Sequence, residues 1–450
     1  MASVLGGNQG SGTRTVASYD EDPLTMAVAA ARNALGSGAS SAPDALWFAT
    51  TSPVYAEKTI APVAAAALRL GPELLAADAG PGLRGANAAI RAALDSNAPA
   101  VMVLAGDVRT GMSGSADERE GGDAGAALMI GDDSGGELVA EHLGSASVTE
   151  EFLDRWRAPG ELRMHAWEER FGQQRYADLA GRAWEAACKD AGLQPDEVKA
   201  VSITGPHPRA GAKLAKTLGA AGVDVVEPLG ASVGFSGAAH GPLMLTHLIE
   251  TAAPGDVVAL ISMADGVDVF VFRVGSGSTA TSTVASQLDG GDDSLSYARY
   301  LQWRGVLPTQ PPNRPEPARM SASAAQRRSD WKYGFVGSRD RSSGAVHLPP
   351  ARVSFVGGAV DDMEAVAMAD TTAKVVTFTV DSLAYSPSPP TIFAVCDFEG
   401  GGRLPIELTD VAPDEVSIGM DVEMTFRRIS TADGIANYFW KARPAAGGSS

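Results

Sequence analysis

Cysteine is nearly absent from this sequence, and the two cysteines it contains are not placed as reactive thiols. Cys188 lies in an alanine-rich amphipathic run, and Cys396 lies in the strand-like segment Thr391–Phe398. A nucleophilic cysteine needs a lowered pKa, which a helix N-terminus or a neighbouring cation provides. Neither position offers these features, so the sequence contains no obvious cysteine nucleophile. Two isolated thiols are typical of reduced cysteines in a cytoplasmic protein.

Positive charge and long apolar runs are also scarce. The chain has 36 Lys and Arg against 54 Asp and Glu, which gives a net charge of −18. Nucleic acids and anionic membranes bind clustered cationic side chains, so neither is expected as a partner. No apolar run reaches the ~20 residues of a membrane helix. Residues 1–14 are predicted to be a polar, flexible N-terminus. They lack the basic and apolar regions of a signal peptide, so no signal peptide is expected there.

Glycine and alanine dominate the most distinctive stretch, Asp78–Leu94. Its turn contains Gly80, Gly82 and Gly85, which allow a backbone or a ligand to approach closely. The turn leads into an alanine-rich helix that suits a crowded interior. The N-terminus of such a helix has unpaired N–H groups and a partial positive charge, and this setting would activate a cysteine. No cysteine is present there.

The first 275 residues contain an internal duplication. The matching positions lie about 155 residues apart and are Ala45 with Ala200, Val101 with Val257, Gly82 with Gly234, and Gly85 with Gly237. Self-similarity at a fixed offset indicates a repeated structural unit. Strands alternate with helices in each copy, which predicts α/β layers with right-handed crossovers. We therefore predict a layered body at 15–275, with halves at 15–145 and 146–275.

The pattern changes after residue 275. Residues 276–330 have the composition of a linker and are predicted to hold one short helix, Tyr297–Trp303, which docks by its aromatic side chains. From residue 331 onwards, short strand patterns alternate with glycine turns, which suits a small closed barrel such as an OB fold. We place a ribbon-like segment at 331–362 and the barrel at 363–445. The predicted fold class is a duplicated α/β body followed by a small all-β barrel.

Residues 15–275 resemble the thiolase superfamily, and more narrowly its hydroxymethylglutaryl-CoA synthase branch. The motifs that carry this resemblance are Ala17–Asp22, Asp78–Leu94, Gly106–Arg109, Gly122–Ala127 and Gly205–Arg209. Residues 331–444 resemble the zinc-ribbon and OB-fold partner proteins found alongside thiolases. The motifs for this second resemblance are Trp331–Gly337, Asp397–Arg403 and Tyr438–Pro444. Together they imply a thiolase-like layered body, an OB-fold domain and acyl-CoA chemistry.

The chain departs from these families in three places. The acyl-accepting cysteine of the family falls on Leu83, and leucine cannot form a thioester. The four metal-binding positions of the ribbon fall on Asp340, Ser343, Ser354 and Gly357, so no structural zinc is expected. The family also has a strand and a helix before the position of Tyr19, where this chain has only a short segment. The first half is therefore expected to lack an edge strand.

Five residues are candidates for a site. The resemblance places His207 at the catalytic histidine of the branch, where it would polarise an acyl carbonyl or transfer a proton. The alternative is that His207 is a hydrogen-bonded histidine retained after the activity was lost, and we favour this alternative. Arg209 and Lys213 begin the next helix and are candidates for a CoA phosphate, although a solvated helix face is the commoner fate of such residues. Gly234 and Gly237 are further candidates for contacting CoA.

Two functions remain open. In the first, the chain is a non-catalytic subunit that supports a separate thiolase and forms a homodimeric core within a hetero-oligomer, and whether it also binds acyl-CoA stays open. In the second, it is a Claisen-type enzyme that forms or cleaves a carbon–carbon bond beside a thioester, with His207 as the base. An acyl-CoA sensor or scaffold is a third, weaker possibility. No covalently bound cofactor is expected, and a coenzyme A thioester is the ligand implied by the resemblance.

Overall fold

The computed structural model describes residues 12–36, 42–132, 137–277 and 282–445. The chain forms two compact units. The first contains the residues up to Ala17, Asp22–Pro62 and Pro72–Leu301. The second contains Ser18–Glu21, Val63–Gly71 and the chain from Gln302 onwards. Among the described residues, no helix is long and apolar enough to cross a membrane.

Helices and strands alternate through the first part of the chain. The helices are α1 (Pro23–Gly36), α2 (Ala61–Ala67), α3 (Gly85–Leu94), α4 (Ala116–Glu120), α5 (Glu169–Ala191), α6 (Pro208–Ala220), α7 (His240–Thr251), α8 (Val284–Asp289) and α9 (Tyr297–Trp303). The strands are β1 (Ala45–Ala49), β2 (Leu75–Asp78), β3 (Ala100–Asp107), β4 (Ala124–Gly131), β5 (Ala140–Val148), β6 (Arg155–Trp156), β7 (His165–Ala166), β8 (Ala200–Thr204), β9 (Asp224–Val226), β10 (Val257–Met263) and β11 (Val267–Val274).

The two main sheets of the first unit repeat one topology, which confirms the duplicated α/β fold. The first sheet has the order β2-β1-β3-β4, and the second has the order β9-β8-β10-β11-β5. In both, the first three strands are parallel and the fourth is antiparallel. Strand β5 adds an edge to the second sheet. The first sheet has no counterpart to β5 within the described residues. The predicted flexible N-terminus, 1–14, where such a strand would precede α1, lies mostly outside those ranges.

The two central helices, α3 and α7, share one hydrophobic core. Ala89 and Ile90 of α3 pack with Met244 and Leu248 of α7 and with strands from both sheets. Glycine allows helix α1 to approach the first sheet closely, since a Cβ on Gly106 would lie 2.0 Å from a backbone oxygen of that helix. Of the small α3 side chains that the sequence assigns to a crowded interior, Ala86, Ala89 and Ala93 are buried, whereas Ala88 and Ala92 are exposed.

The second unit contains helices α10 (Ala322–Arg327) and α11 (Ser329–Lys332), a three-stranded ribbon sheet and a five-stranded closed barrel. The ribbon strands are β12 (Val336–Asp340), β13 (Val346–His347) and β14 (Met363–Ala367). The barrel strands are β15 (Ala373–Asp381), β16 (Thr391–Phe398), β17 (Arg403–Leu408), β18 (Asp421–Ala432) and β19 (Ile435–Pro444). The barrel closes in the order β15-β16-β17-β19-β18, which confirms the predicted OB fold.

Three boundaries differ from the sequence-based assignment. Strand β14 was placed in the barrel, but it pairs with β12 and completes the ribbon sheet. The predicted linker, 276–330, holds α8, α9 and α10 rather than one helix. The side chains of Thr283 and Ser321 cap the N-termini of α8 and α10, and the linker-like composition did not indicate these two helices. The segment Ser18–Glu21 was assigned to the body through its motif, yet it belongs to the second unit.

A buried charge cluster explains the place of that segment. The Asp20 carboxylate is buried and lies 3.0 Å from Nη1 of Arg427 and 2.9 Å from Nζ of Lys441. It also accepts a hydrogen bond of 3.0 Å from the Thr409 hydroxyl. Burial alone would raise the pKa of Asp20, but Lys441 and Arg427 outweigh it and lower that pKa. Asp20 thus satisfies two cations that the barrel strands bury.

Candidate functional site

The turn before α3, where the resemblance implies a nucleophile, holds a cation–carboxylate pair. Leu83 is half-buried in this turn, and its side chain has no group that can bond to an acyl carbon. The neighbouring Arg84 donates two hydrogen bonds of 2.8 Å to the Asp268 carboxylate and one of 3.1 Å to the carbonyl of Asp265. Asn87, in the first turn of α3, donates to Asp268 at 3.3 Å. The turn is therefore fixed by pairing with strand β11.

His207 forms a buried pair with an aspartate. It precedes α6, and its Nε2 lies 2.5 Å from Oδ2 of Asp154. The side chains of His207 and Asp154 are only 6% and 4% exposed. Gly172 of α5 makes room for the pair, because a Cβ there would lie 2.9 Å from Asp154 Oδ2 and 3.2 Å from His207 Nε2. One ring nitrogen of His207 is thus committed to Asp154, and only Nδ1 remains for a ligand.

Tyr176 links this pair to the turn before α3. Its ring centroid lies 5.5 Å from that of His207, and its hydroxyl oxygen accepts a 3.1 Å hydrogen bond from the backbone N–H of Asp265. Burial raises the pKa of Tyr176 above its usual range, and burial followed by the Asp154 charge raises the pKa of Asp265. The carbonyl of Asp265 in turn accepts from Arg84. A chain of contacts therefore joins His207 to the residue after Leu83.

Sequence reasoning found His207 but missed Asp154, Tyr176 and Asp265. These residues come from three separate segments, and Asp154 lies 53 positions from His207. Asp154 belongs to a stretch without periodicity, so no local pattern marks it. Tyr176 carried only a helical signal. A buried histidine implies a hydrogen-bonding partner, which is the one general signal that points to such a residue.

The proposed CoA-binding residues lie apart from this chain of contacts. The Arg209 side chain is 76% exposed and pairs with exposed Glu169 at 3.2 Å. Lys213 is exposed on the same helix, α6. A Cβ on Gly234 would lie 2.8 Å from the backbone of Gly121, and one on Gly237 would lie 2.0 Å from Asp107 Oδ2. Both glycines face protein atoms, and a role of these four residues in CoA binding stays a prediction.

The two cysteines are buried and poorly suited to nucleophilic chemistry. Burial raises the pKa of both Cys188 and Cys396 to about 11. A nucleophilic thiol needs the opposite shift, since the thiolate is the reactive form. This agrees with the expectation that the chain has no cysteine mechanism.

A buried histidine lies near the N-terminus of α7. His240 has its Nδ1 3.1 Å from Oγ of Ser236 and packs against the ring of Phe235. Burial lowers its pKa from 6.5 to about 4. His240 is therefore neutral in the folded chain at neutral pH.

This histidine predicts an acid-dependent loss of stability. The unfolded chain takes up a proton at His240 below pH 6.5, whereas the folded chain does so only near pH 4. The stability that the neutral ring contributes is complete above pH 6.5 and falls by about 2 kcal/mol between pH 7 and pH 4.5. Urea unfolding across this range should therefore show a weaker pH dependence in His240→Gln than in the wild type. His165→Gln, which changes a partly exposed histidine, should keep the wild-type slope. Equal slopes in all three proteins would contradict the assignment.

Most of the ribbon positions that the resemblance assigns to metal ligands meet in a hydrogen-bonded cluster. Buried Asp340 accepts from the Ser343 hydroxyl at 2.5 Å and from the Ser342 hydroxyl at 2.8 Å. Hydrogen bonds from Ser343 and Ser354 hold the pKa of the Asp340 carboxyl well below its usual range. Gly357 lies in the turn after Ser354, where it has φ of +80° and no atom within 4 Å of its Cβ position. Three of the four predicted positions thus meet around one carboxylate.

No metal-binding group of three or more His, Cys, Asp or Glu side chains occurs in the described ranges. The donor set at the ribbon is one carboxylate with serine hydroxyls. Structural zinc sites use four Cys or His ligands, so these residues do not fit that ion. The prediction of a zinc-free ribbon rests on this donor chemistry.

The cluster predicts that the ribbon depends on Asp340 and not on a metal. Asp340→Ala should lower the unfolding midpoint of the second unit, because the hydroxyls of Ser342, Ser343 and Ser354 and the N–H of Ser342 lose their acceptor. EDTA should leave the wild-type midpoint unchanged. The stabilising effect is present at neutral pH and is lost as pH falls below the usual carboxyl pKa of about 4. Tryptophan fluorescence during urea unfolding measures both effects, with Asp361→Ala at an exposed pair as the control. A midpoint lowered by EDTA would contradict this account.

Comparison with known proteins places both parts of the chain. The body is 30% identical over 277 residues to the hydroxymethylglutaryl-CoA synthase of Methanopyrus kandleri, which covers 58% of this chain and 76% of that protein. The chain belongs to the hydroxymethylglutaryl-CoA synthase family. A solved structure of a hydroxymethylglutaryl-CoA synthase complexed with CoA matches with a TM-score of 0.53 at 19% identity, over 64% of this chain and 79% of that one. This second likeness shows the shared fold.

The C-terminal part matches a different group of proteins. Residues 365–427 match the family described as "ChsH2, C-terminal OB-fold domain". A DUF35 domain-containing scaffold protein of Methanocaldococcus jannaschii is 29% identical over 118 residues, which is 25% of this chain and 83% of that protein. This member of the hydroxymethylglutaryl-CoA synthase family thus carries a ribbon and OB-fold domain on the same chain. The recognition made from the sequence is confirmed for both parts.

Proposed function

We propose that this chain is a non-catalytic subunit of a thiolase-type acyl-CoA complex. The observation that carries the proposal is Leu83, which stands where the family has its acyl-accepting cysteine. Covalent acyl transfer needs a nucleophile, and the chain's two thiols are buried with raised pKa values. A thiolase-like body without a nucleophile keeps its fold and its surfaces, but not the acyl-transfer step.

The OB-fold domain on the same chain favours an accessory role for this protein in a complex. Its relative in Methanocaldococcus jannaschii is named a scaffold protein, and we extend that role to residues 302–445 of this chain. The partner would be a separate, active thiolase, and the assembly would hold an acyl-CoA between the two. A homodimeric core, a cytoplasmic location and the lack of a covalently bound cofactor or zinc belong to the same proposal.

The test is assembly followed by assay. The full chain should be co-expressed with a thiolase encoded beside it, and the mass of the purified complex should be measured. We expect a stable hetero-oligomer, no acyl-CoA turnover by the isolated chain, and turnover by the complex. A second complex with the thiolase's own cysteine changed to alanine should be intact and inactive. Acyl transfer from acetyl-CoA by the isolated chain would overturn the proposal, as would failure to associate with the thiolase.

One observation favours a second candidate function. The buried Asp154–His207 pair, 2.5 Å apart, is an arrangement in which a carboxylate orients an imidazole and increases its basicity. In this alternative the chain is a Claisen-type enzyme without a covalent acyl intermediate. Nδ1 of His207 would move the proton at the carbon next to the thioester while Asp154 holds the ring.

Two substitutions separate the candidates. If His207 is a base, His207→Ala should abolish any turnover, and Asp154→Asn should lower the rate and shift its pH profile. Arg273→Ala, in an exposed ion pair with Glu141, serves as the control and should leave the rate unchanged. Unchanged turnover in His207→Ala would eliminate the second candidate.

A further inference from the structure

A buried arginine of the body lacks a carboxylate partner. Arg109 is 6% exposed, and its guanidinium donates one hydrogen bond, of 2.9 Å, to the hydroxyl of Thr51. The ring of Phe235 lies 5.8 Å from the guanidinium carbon. Within the described ranges, Arg109 forms no ion pair. Burial lowers its pKa, but a guanidinium stays protonated in proteins. A buried charge without a counter-ion is costly.

The neighbouring carboxylates are already satisfied. Asp107 accepts five hydrogen bonds of 2.7–3.1 Å, and its donors are Thr50 Oγ1, Thr51 N, Thr51 Oγ1, Ser52 Oγ and Ala238 N. Asp117 pairs with Arg155 at 2.6 Å. Asp107 and Asp117 both act on Arg109 through their charge, but neither contacts its guanidinium.

A second arginine faces the same loop. Arg157 is half-buried, and its Nη1 donates a 3.1 Å hydrogen bond to the carbonyl of Thr110, the residue after Arg109. Arg157 likewise forms no ion pair with a described residue, and its charge further lowers the pKa of Arg109. Two cations thus lie close together, with no anion contacting either guanidinium. A bound anion would remove this repulsion and accept the unused N–H donors.

The location connects this pair to the candidate site. Arg155 lies between Asp154 and Arg157 on one short segment and donates a 3.3 Å hydrogen bond to the carbonyl of Pro206, next to His207. A ligand held at the arginine pair would therefore lie on the same group of loops as the Asp154–His207 pair.

We propose that Arg109 and Arg157, with Thr51 beside them, form a binding site for an oxyanion of a ligand. Guanidinium groups bind carboxylates and phosphates through paired N–H donors, so the ligand group is a carboxylate or a phosphate. This site does not depend on the accessory role proposed above, because it needs neither a nucleophile nor a partner thiolase. A subunit and an enzyme could each use it to hold an anionic acyl-CoA.

Binding of two simple anions to the full chain tests the site. Isothermal titration in low-chloride buffer should be run with inorganic phosphate and, separately, with succinate. We expect at least one to bind, and Arg109→Gln to weaken that binding roughly tenfold or more. Arg163→Gln removes the same charge from an exposed position and should bind as the wild type does. Binding of phosphate alone points to a phosphoryl group, and binding of succinate alone points to an acyl carboxylate.

A second variant keeps the proposal testable if Arg109→Gln does not fold. Arg157→Gln changes a half-buried residue and should weaken the same anion roughly tenfold, even if Arg109→Gln fails to fold. Far-ultraviolet circular dichroism identifies a variant that has lost its structure. The proposal is overturned if neither anion binds the wild type, or if a folded Arg109 or Arg157 variant binds like the Arg163 control.

Discussion

Replacing Asp20 by alanine is expected to destabilise the second unit by about 3–5 kcal/mol. The substitution leaves Arg427 and Lys441 buried with one acceptor fewer, and their side chains are only 2% and 1% exposed. When one partner of a buried ion cluster is removed, its attraction no longer offsets the desolvation cost of the remaining charges. Urea unfolding followed by tryptophan fluorescence, to which the buried barrel residue Trp440 contributes, measures the change.

A matched control uses an exposed ion pair of the same barrel. Asp397 pairs with Arg403 at 2.5 Å, and the two side chains are 45% and 60% exposed. Asp397→Ala should leave the free energy of unfolding nearly unchanged, because water screens exposed pairs. If Asp20→Ala changed stability as little as Asp397→Ala does, the buried cluster would have no net stabilising effect.

Gly237→Ala is expected to destabilise the first unit by about 4 kcal/mol. The residue has φ of +58°, and an added Cβ would lie 2.0 Å from Oδ2 of Asp107. That oxygen accepts a 2.7 Å hydrogen bond from the N–H of Ala238, which the methyl group would displace. Backbone strain, overpacking and a lost charge-assisted hydrogen bond therefore act together. Thermal or urea unfolding provides the measurement.

Gly222→Ala separates these causes. Gly222 also has a positive φ, of +90°, but no atom lies within 4 Å of its Cβ position. Gly222→Ala should lower the free energy of unfolding by about 1–2 kcal/mol, which is the cost of the backbone strain alone. The comparison also tests whether Gly237 contacts a ligand or is required for packing. Substitution of a ligand-contacting glycine would weaken ligand binding without a large loss of stability. Similar stability losses for the two variants would refute the packing role.

Local patterns predicted the fold well because each signal is confined to a few neighbouring residues. Buried strands such as Ala100–Asp107 and Val257–Met263 consist largely of continuous apolar runs, and glycine marks the helix end at Gly192. The repeat offset then predicted that both halves have the same succession of strands and helices, but the order of strands within each sheet comes from the structure. The barrel followed from alternating strands between glycine turns.

Pairings between distant residues could not be predicted in this way. Nothing near Asp154 in sequence indicates that it bonds His207, since only the packing of α5 through Gly172 brings the two together. The same reason explains Asp20, which the motif assigned to the body and which the structure places with Arg427. Arg109 was part of a recognised motif, but its lack of a counter-ion is visible only in three dimensions.

The Asp340 cluster has a consequence for the conditions under which this protein can work. Zinc ribbons built on cysteine lose their structure when a chelator removes the ion or an oxidant converts the thiolates to disulfides. Serine hydroxyls and a carboxylate undergo neither reaction, and the chain's two thiols are buried elsewhere. We therefore expect the ribbon to stay folded under zinc starvation and peroxide stress. A complex that contains it would then be limited under such stress by the thiolate chemistry of its partner, and not by this chain.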